Sequence, residues 1–223
     1  MSDERGAAIS VAGLSEVLEK VTRPPLITAM LAVLLSSFLL VALLNLAGTT
    51  GPTNDDGTIC CGDFTAFWTG GWLVASGQGP QLYDLDLQVA YQAEFVASNG
   101  GSFQPYNYPP TLALVMAPMV LAGYRGAFAL FGLFSATVLG LGLASVWPHL
   151  DGWRTTARAS AMMAVVAYHP VMATMLGGQT SAITLGLICA HYGAVRKGRW
   201  VLAGVVLGLI AYKPQFTFVL ALW

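Results

Sequence analysis

The chain has 223 residues, 56% of them hydrophobic and only 9% charged, with a mean hydropathy of +0.65. So little charge on so apolar a chain excludes an ordinary soluble domain and points to an integral membrane protein. The net charge of −1 offers no basic stripe for nucleic acid, so the placement of the charges carries the information.

Residues 1–25 form an amphipathic segment containing Arg5, Glu16, Glu19, Lys20 and Arg23, read as cytoplasmic. Leu26–Ala47 follows as a charge-free apolar run of 22 residues. At 1.5 Å per residue that is enough to cross a hydrocarbon core of about 30 Å. No A-x-A-like cleavage site follows a short apolar core, so the run reads as a retained span rather than a signal peptide.

Gly48–Gly123 carries Asp55, Asp56, Asp63, Asp84, Asp86 and Glu94 but no lysine or arginine, which places it outside. Cys60 and Cys61 are adjacent and Cys189 lies in an apolar run, a set that makes neither a disulfide framework nor a C-x-x-C site. Free thiols are the expectation, a disulfide between neighbours being strained and rare. Asp63 then sits beside Phe64, Phe67, Trp68 and Trp72, rings suited to a membrane interface. Two readings stay open for it: an N-cap of a juxtamembrane helix, or a partly desolvated carboxylate able to accept a proton.

Farther along, "LDLQVAYQAEFVAS" has the apolar spacing of a surface-lying helix, with Asp84 before it as a cap or a substrate contact. Tyr106 and Tyr108 flank Asn107, placed to stack on a sugar or to anchor at the interface. "YPPTLALVMAPMVLAG" is short for a span and carries Pro118, so Pro110–Leu121 reads as an interfacial or re-entrant helix on the outer side.

Eight of the ten basic residues fall in three clusters, at 5–23, 154–158 and 196–199. If all three are inside, an even number of crossings separates each pair. Spans are therefore predicted at 125–147, 157–175, 180–195 and 200–212, with another starting at 214; "FTFVLALW" stops in mid-segment, so the chain reads as truncated. Gly132, Gly140, Gly142, Gly204 and Gly208 are expected to let helices approach closely.

Two cations break the charge bias. Arg125 and Lys213 lie at outer helix ends, where a planar guanidinium or a compact ammonium would suit a phosphate, the alternative being interfacial anchoring or snorkelling. Gln179 in "GGQTS" can bind a sugar hydroxyl, and His169 falls where it could line an outer cavity. His149 and His191 lie near the inner face, so the three histidines form no metal site.

The landmarks "GDFTAFWTGGWLVASGQGPQLYD", "YNYPPTLALVMAPM", "LGGQTSAITLGLI" and "LAGVVLGLIAYKPQ", in this order over residues 26–220, resemble glycosyltransferase family 87. That resemblance implies an all-α, polytopic helical bundle of GT-C type with outer juxtamembrane helices, of which this chain would be the N-terminal portion. It implies transfer of a hexose, commonly mannose, from a polyprenyl-phosphate donor to an acceptor hydroxyl on a lipid or glycan, with inversion, at the extracytoplasmic face of the plasma or inner membrane. The matching position for the base of the first outer loop is Asp63; Lys213 and Arg125 would bind the donor phosphate, and Gln179, Tyr108, Asp84 and His169 would contact substrate. No cofactor is expected, because the lipid-linked sugar is a substrate, and no residue is assigned to a metal; a divalent-metal requirement is left open. A transporter or flippase would share the apolar spans and buried charges but should show inverted repeats, and none is apparent. A noncatalytic scaffold would use Asp63 only as a cap.

Overall fold

A computed structural model describes residues 61–96, 103–153 and 155–222, with scattered positions between 29 and 43. The described positions between 29 and 43 are helical; the rest of the expected first span lies outside the described residues. All regular structure among the described residues is helical: α1 (Phe64–Ala75), α2 (Leu85–Val96), α3 (Pro110–Met116), α4 (Gly123–Val146), α5 (Thr155–Val166), α6 (His169–Gly177), α7 (Ser181–Arg196), α8 (Trp200–Ile210) and α9 (Pro214–Ala221). Short 3₁₀ turns, Gly79–Gln81, Met119–Ala122 and Trp147–Leu150, join some of them.

Proline sets several of the helix starts. Pro110, Pro170 and Pro214 each occupy the first turn of their helix, where the missing N–H has no partner to lose. Pro170 also breaks what hydropathy alone reads as one span over 157–175: its ring opposes the carbonyl four residues back, and α5 and α6 meet at a 45° bend. The single expected helix is thus two.

Pro110–Leu150 is the one stretch among the described residues long and apolar enough to cross a membrane, and α5 with α6 is a second if the bent pair is one span. The positive φ of Gly123, +73°, divides that first stretch into the α3 region and α4. The segments expected as spans at 180–195 and 200–212 are helices of 16 and 11 residues, short of the ~20 that a membrane normally needs.

The main core is aromatic. Phe64, Phe67 and Trp68 of α1 are buried against Tyr106, Met116 of α3, and Tyr124, Phe128 and Phe131 of α4. Phe64 makes edge-on contacts with Tyr124 and Phe128 at 5.3 and 5.2 Å between ring centroids, the arrangement favoured by ring quadrupoles. The loop at 104–106 is clamped by two buried glutamines of α2. Gln88 accepts from the Tyr106 N–H (2.8 Å) and donates to the Leu82 carbonyl (2.8 Å); Gln92 accepts from the Gln104 N–H (3.1 Å) and donates to the Gln104 carbonyl (2.8 Å). Spaced four apart, the two amides share one helix face and satisfy buried backbone that has no strand partner.

Helices α4 and α7 form the most extensive helix pair. Gly142 and Gly186 place backbone on backbone there, and Gly193 rests on Ser145, whose hydroxyl also reaches the Cys189 carbonyl at 2.9 Å. Of the glycines expected to serve such packing, Gly142 does. A methyl group added at Gly140, Gly204 or Gly208 would meet no atom of another element within 4 Å among the described residues, and one at Gly132 would meet only the Met175 sulfur at 4.0 Å. The thiol expectation is also corrected: Cys61 is disulfide-bonded while Cys189 is free. Cys60 lies outside the described residues.

A methyl group on Gly186 would meet the Val138 carbonyl oxygen at 2.5 Å and the Leu139 Cα at 2.8 Å. Gly186→Ala should therefore destabilise by about 1–3 kcal/mol, lowering the unfolding midpoint in detergent by about 2–4 °C per kcal/mol. Gly140→Ala should stay within about 0.5 kcal/mol of wild type.

Candidate functional site

Asp63 opens α1. Cys61 and Gly62, both at positive φ (+71° and +48°), turn the chain into the helix, and the Phe64 N–H closes on the Cys61 carbonyl at 3.0 Å. Asp63 itself has helical dihedrals rather than those of a capping residue, its side chain makes no capping hydrogen bond, and it is exposed. Neither a capping role nor partial desolvation of the carboxylate is supported by this geometry.

The start of α1 is held on two sides. Toward α4, Thr65 bonds the Tyr124 hydroxyl at 2.9 Å behind the Phe64 ring cluster. Toward the α6–α7 turn, Gly178 ends α6 in the left-handed conformation (φ +70°) and lies directly against Phe64, while Gly62 lies against the Gly177 carbonyl. A side chain at Gly178 would displace Phe64, and Asp63 with it.

Three further polar groups gather there. Tyr108, half-buried and edge-on to Phe67 at 4.9 Å, is held by the Tyr83 hydroxyl donating to its carbonyl (2.9 Å). Burial pushes the Tyr108 phenol above the ordinary tyrosine range, and the negative charge of Asp63 adds to the shift. The Thr180 side chain lies within hydrogen-bonding reach of the Tyr108 hydroxyl and offsets part of that shift. From the other side comes Tyr212, whose hydroxyl lies 2.7 Å from Thr184 Oγ1 and 3.3 Å from the Thr180 carbonyl.

Next to Tyr212, Lys213 precedes α9 and lines a cavity of about 290 Å³ together with Tyr168, Pro170, Ser181, Thr184 and Phe216. Burial holds its ammonium below the ordinary lysine value. A second cavity of about 280 Å³ lies between α3, α4, α7 and α8, lined by Leu112, Phe134, Ile183, Leu187, Leu209 and Tyr212 among others. Tyr212 thus borders an apolar cavity and, through Thr184, the one that holds the lysine.

The remaining sequence-predicted residues distribute unevenly. Gln179 is exposed in the α6–α7 turn beside Thr180. Asp84 caps α2, accepting from the Leu87 N–H at 3.0 Å. His169 is exposed; its neighbours Tyr168 and Pro170, rather than the imidazole, line the lysine cavity. Arg125 is buried in the first turn of α4, within electrostatic reach of the Tyr124 phenol. Asp63 and Tyr108 lie within electrostatic reach of each other and Gln179 sits in the neighbouring α6–α7 turn, whereas Lys213 faces a separate cavity and Asp84 is engaged as a helix cap. Thr180, Thr184 and Tyr212 escape sequence reasoning, although they stand within or next to the "GGQTS" and "YKPQ" stretches. Among the described residues no cluster of three histidine, cysteine or carboxylate side chains could hold a metal ion.

Chemically, these groups offer an exposed carboxylate as a proton acceptor, hydroxyls and phenols as hydrogen-bonding partners, and, at the cavity beside Tyr212, a half-buried ammonium able to neutralise an anion. A family model, Glycosyltransferase family 87, matches residues 106–223, just over half of the chain. The match takes in Tyr108, Thr180, Tyr212 and Lys213 and begins after Asp63. No curated protein and no solved structure matches the chain.

Proposed function

Because the chain belongs to glycosyltransferase family 87, we propose that it moves a hexose, mannose foremost, from a polyprenyl-phosphate donor to an acceptor hydroxyl at the extracytoplasmic face of a membrane. What supports the reading, beside the family, is an exposed carboxylate free of a capping bond, Asp63, within electrostatic reach of the Tyr108 phenol, together with a half-buried ammonium, Lys213, that lines a cavity next to Tyr212.

In this reading the acceptor oxygen attacks the anomeric carbon as the bond from that carbon to the phosphate oxygen breaks. The acceptor proton passes to the Asp63 carboxylate, and the electron pair of the broken bond stays on the lipid phosphate. Attack opposite the leaving group inverts the configuration. Lys213 stabilises the charge growing on the phosphate, in surroundings dry enough to strengthen the interaction. Arg125 supplies a second positive charge from the α4 side, and Gln179 and Tyr108 bind sugar hydroxyls. Asp84, engaged as a helix cap, and His169, exposed outside the cavity, have no substrate contact in this scheme.

The proposal includes a multi-pass arrangement in the plasma or inner membrane with a cytoplasmic N-terminus, supported by the three basic clusters and the base-free interval 48–123. Cysteines introduced at Asn107 and Gly198, both exposed, should react with an impermeant reagent from opposite sides of the membrane. Labelling from the same side would defeat this topology.

For the chemistry, Asp63→Asn in the full-length protein should cut sugar transfer by about 10²–10⁴-fold while leaving membrane insertion intact. An unchanged rate would refute the base assignment. For the cation, the sign follows from burial: Lys213 acts only while protonated, and its folded-state value lies below the ordinary 10.5. Transfer efficiency, kcat/KM, should therefore fall as pH rises through a value below 10.5. Lys213→Arg, which stays charged throughout, should remove that alkaline limb. A limb identical in both proteins would assign it to another group.

A further inference from the structure

The C-terminal end of α4 gathers cations and tryptophans. His149 meets Tyr192 edge-on, 5.7 Å between ring centroids, which sets the turn after α4 beside the end of α7. Over 147–200 the described residues carry Arg158, Arg196, Lys197 and Arg199 against one carboxylate, Asp151. Trp147, Trp153 and Trp200 are exposed along the same turns, by 40%, 53% and 70%. Exposed indoles among cations are the composition of a membrane–water interface, where the ring meets the lipid and its N–H meets the headgroups.

Arg158 differs from the other cations in being held. Its Nε donates to the Trp153 carbonyl at 3.2 Å, its Nη1 donates to Asp151 at 3.3 Å, and its guanidinium carbon lies 5.9 Å from the centre of the Trp147 ring. The Asp151 side chain is 83% exposed, so water screens the ion pair and a stronger anion can displace it. The guanidinium keeps further N–H groups in a planar fork suited to phosphate. Met162 stands one turn along α5 from Arg158, on the same face. With Leu143, Ala144 and Trp147 it lines an open apolar groove of about 370 Å³ between α4 and α5. Trp147 belongs to both features, lying beneath the cation and forming a wall of the groove.

An apolar groove that adjoins an oriented cation matches an amphiphile with an anionic head. We propose that the groove holds an acyl chain of an anionic phospholipid whose phosphate pairs with Arg158. A small soluble anion would meet the charge and leave the groove empty, and a zwitterionic lipid would bring its own cation to an end of the molecule already rich in them. Helix α4, of 24 residues and so about 36 Å long, separates this site from the Tyr124 end on which α1 packs. In the topology proposed above the lipid belongs to the cytoplasmic leaflet, where anionic headgroups and basic side chains meet. The binding itself depends on neither that topology nor the transferase reading.

The test uses the full-length protein in detergent, with tryptophan fluorescence read as phosphatidylglycerol carrying bromine on its acyl chains is added. Quenching should saturate, at a concentration about fivefold or more below that needed with brominated phosphatidylcholine. Trp147→Phe should remove most of the saturable part. Arg158→Gln should weaken phosphatidylglycerol about fivefold and leave phosphatidylcholine unchanged. Should that variant fail to fold, Asp151→Asn decides: losing the competing carboxylate should tighten phosphatidylglycerol alone. Absence of saturable quenching, as when another segment of the protein covers the groove, overturns the proposal. So do equal affinities for the two lipids, quenching that Trp147→Phe leaves whole, or an Arg158→Gln variant that binds as wild type. Glycerol 3-phosphate that displaces the lipid at equal concentration would make the ligand a free phosphate and overturn the lipid assignment. Sugar transfer enters none of these readouts, so their failure leaves the transferase reading standing.

Discussion

The seat of Phe64 against Gly178 is the contact on which the site depends. One ring, buried among Tyr124, Phe128 and Phe131, locks the first residue of α1 to α4, while its Cβ rests on a glycine backbone with no side chain to hold it off. Only a residue at ease with positive φ can both end α6 and present so flat a surface. The carboxylate just before that ring is thereby fixed beside the α6–α7 turn and needs no bond of its own to stay there.

The electrostatic character of the site follows from this seating. Asp63 stays at the surface, where water and an incoming hydroxyl both reach it, and Lys213 is drawn into a half-buried cavity. The Tyr108 phenol, within reach of the carboxylate, is held protonated by burial and by that charge.

Sequence patterns make some of this legible. The interval from 48 to 123 without a single basic residue singles out Asp63, and Lys213 stands out because it violates the same bias. Pro170 carries the bend between α5 and α6 in plain view, but apolar composition runs smoothly across it and conceals it. Glycine content marks α4 and α7 as helices able to approach closely, yet which glycines touch depends on the faces that meet: Gly142 and Gly186 do, Gly140 does not. Thr180 is beyond reach for a related reason. One threonine before a helix looks like a cap, and only the fold shows that Thr174, from the preceding helix, has taken that place. Asp84 is the converse case, a carboxylate that could have served chemistry and in fact caps α2.

The glutamine pair of α2 has a consequence for how this region tolerates change. Gln88 and Gln92 grip peptide groups, and a peptide group is the same whatever residue bears it. Side chains at 103 and 105 can therefore drift without breaking these backbone bonds to the segment that delivers Tyr108. The exception is Tyr106, whose ring fills the notch above Gly70 and whose hydroxyl ties Pro109 to Ala113. Variation along this loop is open to the protein on one side of that tyrosine, while the aromatic plug itself acts as the index mark from which the following helix is measured.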